Sequence, residues 1–175
     1  MSFVNVKLES SGVVFKNDSY SNWDILINNV STTSIAGLLD NSNTNSGKVV
    51  FDGNNSIRGT SVLVKGYKDI SFLGSTTTEM VSNNTTIQAS RADRFNVSSG
   101  ANVSFKNTNT TGDALVVGNT SRVELNIEKG AVVNVEGNAT TSNVYSSPAP
   151  FLIDGNGSQV MTITGELNVK SKKWK

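Results

Sequence analysis

The sequence contains no cysteine and no histidine. Their absence excludes thiol nucleophiles, thiolate or imidazole metal sites and a Ser-His-Asp triad. A chain without disulfides suits an exported protein that needs none, and equally a cytosolic one. Charge is scarce too: 17% of residues are charged and the net charge is +1, whereas a disordered chain usually carries a high net charge. Proline occurs only 2 times. No apolar run approaches the roughly 18–20 residues of a membrane-spanning helix, so no membrane insertion is expected. The opening stretch "MSFVNVKLES" lacks a basic segment followed by an apolar core, so no signal peptide is read there.

The basic residues are uneven. Lys170, Lys172, Lys173 and Lys175 crowd the end, and the body keeps 11 of the 15 basic residues against 14 acidic ones. A body of net −3 argues against a nucleic-acid groove. The tail 170–175 reads as a solvated end.

What fills the chain is Ser, Thr, Asn and Gly around short alternating runs of Val, Ile, Leu and Phe. Hydrophobic residues make up 36%, below the usual share of about 45–50%. Strict alternation is the mark of strands with one buried face, and no stretch keeps a helical period. "RFNVSSGANVSFKN" (94–107), "RVELNIEKGAVVNVEG" (122–137) and "QVMTITGELNVKSK" (159–172) share one plan. Each is an alternating strand, a turn ending in Gly100, Gly130 or Gly165, and a second alternating strand. A third apolar segment precedes each pair, as in "DALVVGN" (113–119) and "PFLIDGN" (150–156). "KVVFDGN" (48–54) reads as another such segment, with "SVLVKG" (61–66) and "KDISFLG" (68–74) as the two strands after it.

Each pair, taken alone, is a good hairpin. A meander of hairpins or a sandwich is therefore one reading. A third strand recurring before each pair favours the other, a three-sided β-solenoid in which stacked coils close a continuous core. The expectation is an all-β chain of about five coils, forming a single domain over 1–175. Its first part, 1–47, is weakly repeated, the clear coils run over 48–172 and the basic tail over 170–175. Val123, Leu125, Ile127, Val133 and Val135 should point inward, and Glu124, Asn126, Glu128 and Asn134 outward. Loops are predicted at 40–47, 75–85 and 138–149. Asn, Ser and Thr are expected at corners, some of them stacked as hydrogen-bonded ladders.

With "VVFDGNNSIRG", "DALVVGNTSRVELNIEKGAVVNVEG" and "PFLIDGNGSQVMTITGELNVKSK" on view, the chain resembles the pectate-lyase-like adhesive domain of Gram-positive cell-surface proteins. The resemblance is carried by "GN" corners and "G-A-x-V-x-V" strands and is strongest from about 48 to 172. It implies a right-handed, single-stranded parallel β-helix excised from a secreted, wall-associated bacterial protein. It further implies an extracellular, non-enzymatic module that adheres to a surface glycan or to a host or matrix protein; the chain itself is expected as a monomer. A polysaccharide (pectate or uronan) lyase- or hydrolase-related domain is the alternative, and a purely structural stalk is another.

Candidate sites follow from chemistry. Arg91, Asp93 and Arg94 form the densest charged group in the body, and paired guanidinium groups suit a sugar or a carboxylate. A surface ion pair is the plainer reading. Tyr145 is the most prominent aromatic in a predicted loop. No catalytic residue is assigned and no cofactor is required. Asp52, Asp113 and Asp154 fall near equivalent places in the proposed coils, and as a column they would offer Ca²⁺ a weak site. As residues before Gly in "DGN", Asp52 and Asp154 serve equally as turn formers.

Overall fold

A computed structural model describes residues 1–17, 22–41, 46–81, 87–89, 94–110, 112–117, 122–138, 150–153 and 158–171. The described residues contain no helix. Their strands fall into successive rungs. The first holds β1 (Ser2–Val4), β2 (Lys7–Leu8) and β3 (Val13–Lys16); the second β4 (Ile25–Asn28), β5 (Ser31–Thr32) and β6 (Gly37–Asp40). The third holds β7 (Lys48–Asp52), β8 (Asn54–Gly59) and β9 (Val64–Lys65); the fourth β10 (Asp69–Phe72), β11 (Ser75–Met80) and β12 (Ile87–Ala89). The fifth holds β13 (Arg94–Val97), β14 (Asn102–Asn107) and β15 (Leu115–Val117); the sixth β16 (Arg122–Ile127), β17 (Val132–Gly137) and β18 (Phe151–Ile153). β19 (Ser158–Ile163) and β20 (Glu166–Ser171) begin a seventh.

Every strand pairs in parallel with its counterpart in the next rung. Sheet A runs β1-β4-β7-β10-β13-β16-β19, sheet B runs β2-β5-β8-β11-β14-β17-β20, and sheet C runs β18-β15-β12-β9-β6-β3. The strands flanking the Lys129-Gly130 turn do not pair with each other. β16 lies between β13 and β19, and β17 between β14 and β20, so the hairpin reading is excluded.

Two of the three sheets hold seven strands, so the count of about five coils was too low. The deficit lies at the start, where weakly repeated sequence already forms rungs from Ser2 onward. The first rungs are short, with Asn5 and Asn29 meeting across 24 residues, and later ones lengthen to 30 and 34. The phase was also misread. "KVVFDGN" supplies β7 of sheet A, whereas "PFLIDGN" supplies β18 of sheet C. Gly66 lies between β9 and β10, a different corner from Gly100 and Gly130.

The inward set is as expected: Val123, Leu125, Ile127, Val133 and Val135 are each 1–2% exposed. Glu124, Asn126, Glu128 and Asn134 are only half covered. Period-two alternation is a local property of the extended backbone, so it survives any error of phase. At the middle of the core, Phe72 stacks on Phe51 with ring centroids 4.9 Å apart. It also meets Phe95 at 5.4 Å and Phe105 at 5.6 Å, tying sheet A to sheet B.

Residues 75–80, predicted as part of a loop, are strand β11. "STTTEM" offers little apolar signal, but the β-branched Thr76 and Thr78 turn inward and are each 1% exposed. Asn55 Nδ2 donates to Thr76 Oγ1 at 3.3 Å, and Thr78 Oγ1 donates to Ser104 O at 3.4 Å, so their hydroxyls are satisfied. Of the predicted loop 40–47, Asp40 closes β6 and residues 42–45 lie outside the described residues, as do 139–149 of the third loop; of the tail, Lys170 and Ser171 belong to β20.

The corners from sheet A to sheet B explain much of the Asn and Gly. Asn5 and Asn29 adopt φ of 56° and 53°, and Gly100 and Gly130 take 81° and 86°. These left-handed conformations cost Asn and Gly least. Asn29 Nδ2 donates to Asn5 Oδ1 at 3.0 Å, and the backbone of Asn54 donates to Asn29 Oδ1 at 2.8 Å, so one corner braces the next. Gly165 sits at a tighter corner, where a Cβ would strike the carbonyls of Glu128 and Ala131.

Candidate functional site

The outer face of sheet A carries an open depression lined by side chains in register. Lys48, Asp69, Arg94 and Glu124 are register partners on β7, β10, β13 and β16. They form a row of alternating sign. Beside it runs a neutral row of Ser71, Asn96, Asn126 and Thr162, also in register. The two rows line an open depression of about 540 Å³. From β7 to β19 it crosses five strands, about 19 Å at the usual spacing of about 4.8 Å.

Arg94 is the centre of the charged row. Its Nη1 lies 3.5 Å from Asp69 Oδ2 and its Nε 3.4 Å from Glu124 Oε2. The guanidinium is therefore held between carboxylates of two neighbouring rungs, and half of its side chain stays in solvent. In the neutral row Asn126 Nδ2 donates to Asn96 Oδ1 at 2.7 Å, and Asn96 Nδ2 donates to Ser98 Oγ at 3.0 Å. These bonds fix the amide planes, so their remaining polar atoms point in set directions. Asp69 Oδ1 is buried and has no hydrogen-bond partner among the described residues. A buried carboxylate oxygen without a donor is costly, and being closed to solvent it is not open to a ligand in the depression.

Of the residues singled out from sequence, Arg94 lies in this depression. Arg91, Asp93, Tyr145 and Asp154 lie outside the described residues. Asp52 and Asp113 do not share a column: Asp52 closes β7 of sheet A, and Asp113 precedes β15 of sheet C. The column failed with the phase error that placed "KVVFDGN" beside the later apolar segments. Asp52 instead accepts from Asn28 Nδ2 at 3.2 Å and from the backbone of Gly53 at 2.8 Å, which is turn work. No group of three or more acidic side chains suited to a metal ion occurs among the described residues.

Lys48, Asp69, Asn96, Glu124 and Asn126 were not picked out as site residues. No local spacing announces them. They converge because outward positions one coil apart stack in register, and that signal becomes readable only once the coil phase is known. No protein-family model, curated protein or solved structure matches the chain.

Proposed function

We propose that the chain is a right-handed, three-sided parallel β-helix that serves as a non-enzymatic binding module on a bacterial cell surface. The face of sheet A holds an extended, neutral, hydroxyl-rich glycan. Three parallel sheets visited in rotation support the β-helix reading. The observation that carries the ligand class is the pair of rows on sheet A. Lys48, Asp69, Arg94 and Glu124 cancel in charge, so neither an anionic nor a cationic polymer is strongly drawn. The neighbouring amides and hydroxyls offer hydrogen bonds suited to sugar hydroxyls. The described lining contains no aromatic ring, so hydrogen bonding would supply the affinity.

The reading requires no cofactor and no Ca²⁺. A uronan lyase would need a free base facing a cation site, whereas the donors of Arg94 already serve two carboxylates. The test is a panel of neutral polysaccharides, uronans and matrix proteins, followed by calorimetric titration of the tightest neutral binder. Asn126→Ala should weaken that binding by a few-fold to about tenfold, as expected for losing one hydrogen bond of about 0.5–1.5 kcal/mol. Binding to nothing in the panel would leave a structural stalk. Release of unsaturated product from a uronan with Ca²⁺ would establish the lyase reading instead.

A further inference from the structure

The neutral row of the depression continues beyond it. On the outer face of sheet A, Ser71 of β10 stands in register with Val50 of β7, and Val50 with Leu26 of β4. Along the stack the row runs Leu26, Val50, Ser71, Asn96, Asn126 and Thr162. It changes from aliphatic to hydroxyl and amide at one step, between β7 and β10. Leu26 and Val50 point outward, since their strand neighbours Ile25, Ile27, Val49 and Phe51 fill the core. Both are half-buried.

Leu73 extends this apolar step. Its backbone donates to Phe51 O at 2.8 Å, which carries the pairing of β10 with β7 one position past Phe72 and sets Leu73 beside Asp52. Its side chain is 47% exposed. Three aliphatic side chains therefore gather on rungs two to four of one outer face. On sheet B, the outward positions of rungs three and four hold Asn54, Ser56, Arg58, Ser75, Thr77 and Glu79, none of them apolar. Aliphatic side chains scattered singly over a surface need no explanation, but these three are grouped where a depression ends.

The step adjoins the depression directly. Lys48 lies two residues before Val50 on the same strand face, Ser71 is the register partner of Val50, and both line the depression. A ligand lying along the row with its hydroxyls against Asn96 and Asn126 meets Val50 and Leu26 at its other end. Those side chains offer no hydrogen bond, so a sugar hydroxyl placed there loses water without replacement. An apolar group placed there covers aliphatic surface and gains by it. Three side chains, two of them already half covered, match a short group and not a lipid tail.

We propose that the bound glycan carries a short acyl or alkyl group at the end that reaches rungs two to four, and that Leu26, Val50 and Leu73 form the subsite for it. The proposal rests on the glycan reading of the depression. It names which glycans the face selects: those bearing a small apolar ester or ether, over their fully hydroxylated counterparts.

Calorimetric titration with a matched pair of probes tests this. One is cellotetraose, an extended neutral sugar, and the other is its butyl glycoside. The butyl glycoside should bind the unmodified chain about tenfold more tightly than the free sugar. In Val50→Ser that ratio should fall to about threefold or less. In Asn126→Ala both probes should weaken by a like factor, so the ratio persists. Val50 and Asn126 both face outward, and unchanged circular dichroism would show that each variant folds. Free sugar that binds without any gain from the butyl group would overturn the subsite and leave the glycan reading standing. A gain that survives intact in Val50→Ser would do the same. If neither probe binds, the subsite falls together with the glycan reading that supports it.

Discussion

Replacing Phe72 with alanine probes whether one core runs through successive rungs. Phe72 is fully buried and meets three other phenylalanines, on β7, β13 and β14, at centroid distances of 4.9–5.6 Å. A buried Phe→Ala change costs about 3–5 kcal/mol from lost transfer energy and the cavity left behind. Each ring pair adds about 0.5–1.5 kcal/mol beyond burial, which places Phe72 near the upper end, about 5 kcal/mol. Total stabilities are commonly about 5–15 kcal/mol, so the loss would be a large share. For a chain of this length it lowers Tm by about 10–20 °C. Phe3 at the mouth is half-buried and has one ring partner, Phe15, so Phe3→Ala should cost only about 1–2 kcal/mol. Urea unfolding followed by far-UV circular dichroism, with similar m-values for both variants, gives the comparison. A loss below about 2 kcal/mol at Phe72, or equal losses at the two sites, would refute a shared core spanning rungs three to five.

Corner geometry and buried ionisation make two further tests. Gly53 has φ of 63°, and a Cβ there would lie 2.5 Å from Asn29 Oδ1; at Gly100, φ is 81° but nothing lies within 4 Å. Gly100→Ala should therefore cost about 1–2 kcal/mol from backbone strain alone, and Gly53→Ala distinctly more, as read by urea midpoints. Tyr67 is 1% exposed, and burial, reinforced by the nearby Asp40 carboxylate, pushes its phenol pKa well above the usual value of about 10. Its folded pKa is raised, so the contribution is complete below about pH 10 and is lost as pH rises further, when only the unfolded chain can ionise. Stability should fall more steeply above about pH 10 in the unmodified chain than in Tyr67→Phe, and identical alkaline profiles would contradict this.

Legibility from sequence divides along physical lines. The side-chain alternation around Lys129-Gly130 correctly named the buried set from Val123 to Val135, because which face a residue takes depends only on its own strand. The Gly100 and Gly130 turns were legible for a similar reason, since a left-handed corner is a demand on one residue. β11 was not legible, because Thr76 and Thr78 fill core positions with methyl groups that a polar sequence hides. Arg94 was noticed as part of a charge cluster, but its partners Asp69 and Glu124 were not, since they sit on neighbouring rungs.

Sequence by itself determined that this is an all-β chain of alternating strands with Asn- and Gly-bearing corners, for those are demands of local backbone and side-chain period. Tertiary structure alone decided which strand entered which sheet, how many rungs stacked, and which outward side chains became neighbours. Pairing partners are more than 20 residues apart along the chain. Alternation looks the same on any of the three sheets, so only the stacking of whole rungs selects the register that builds the charged row and the amide row.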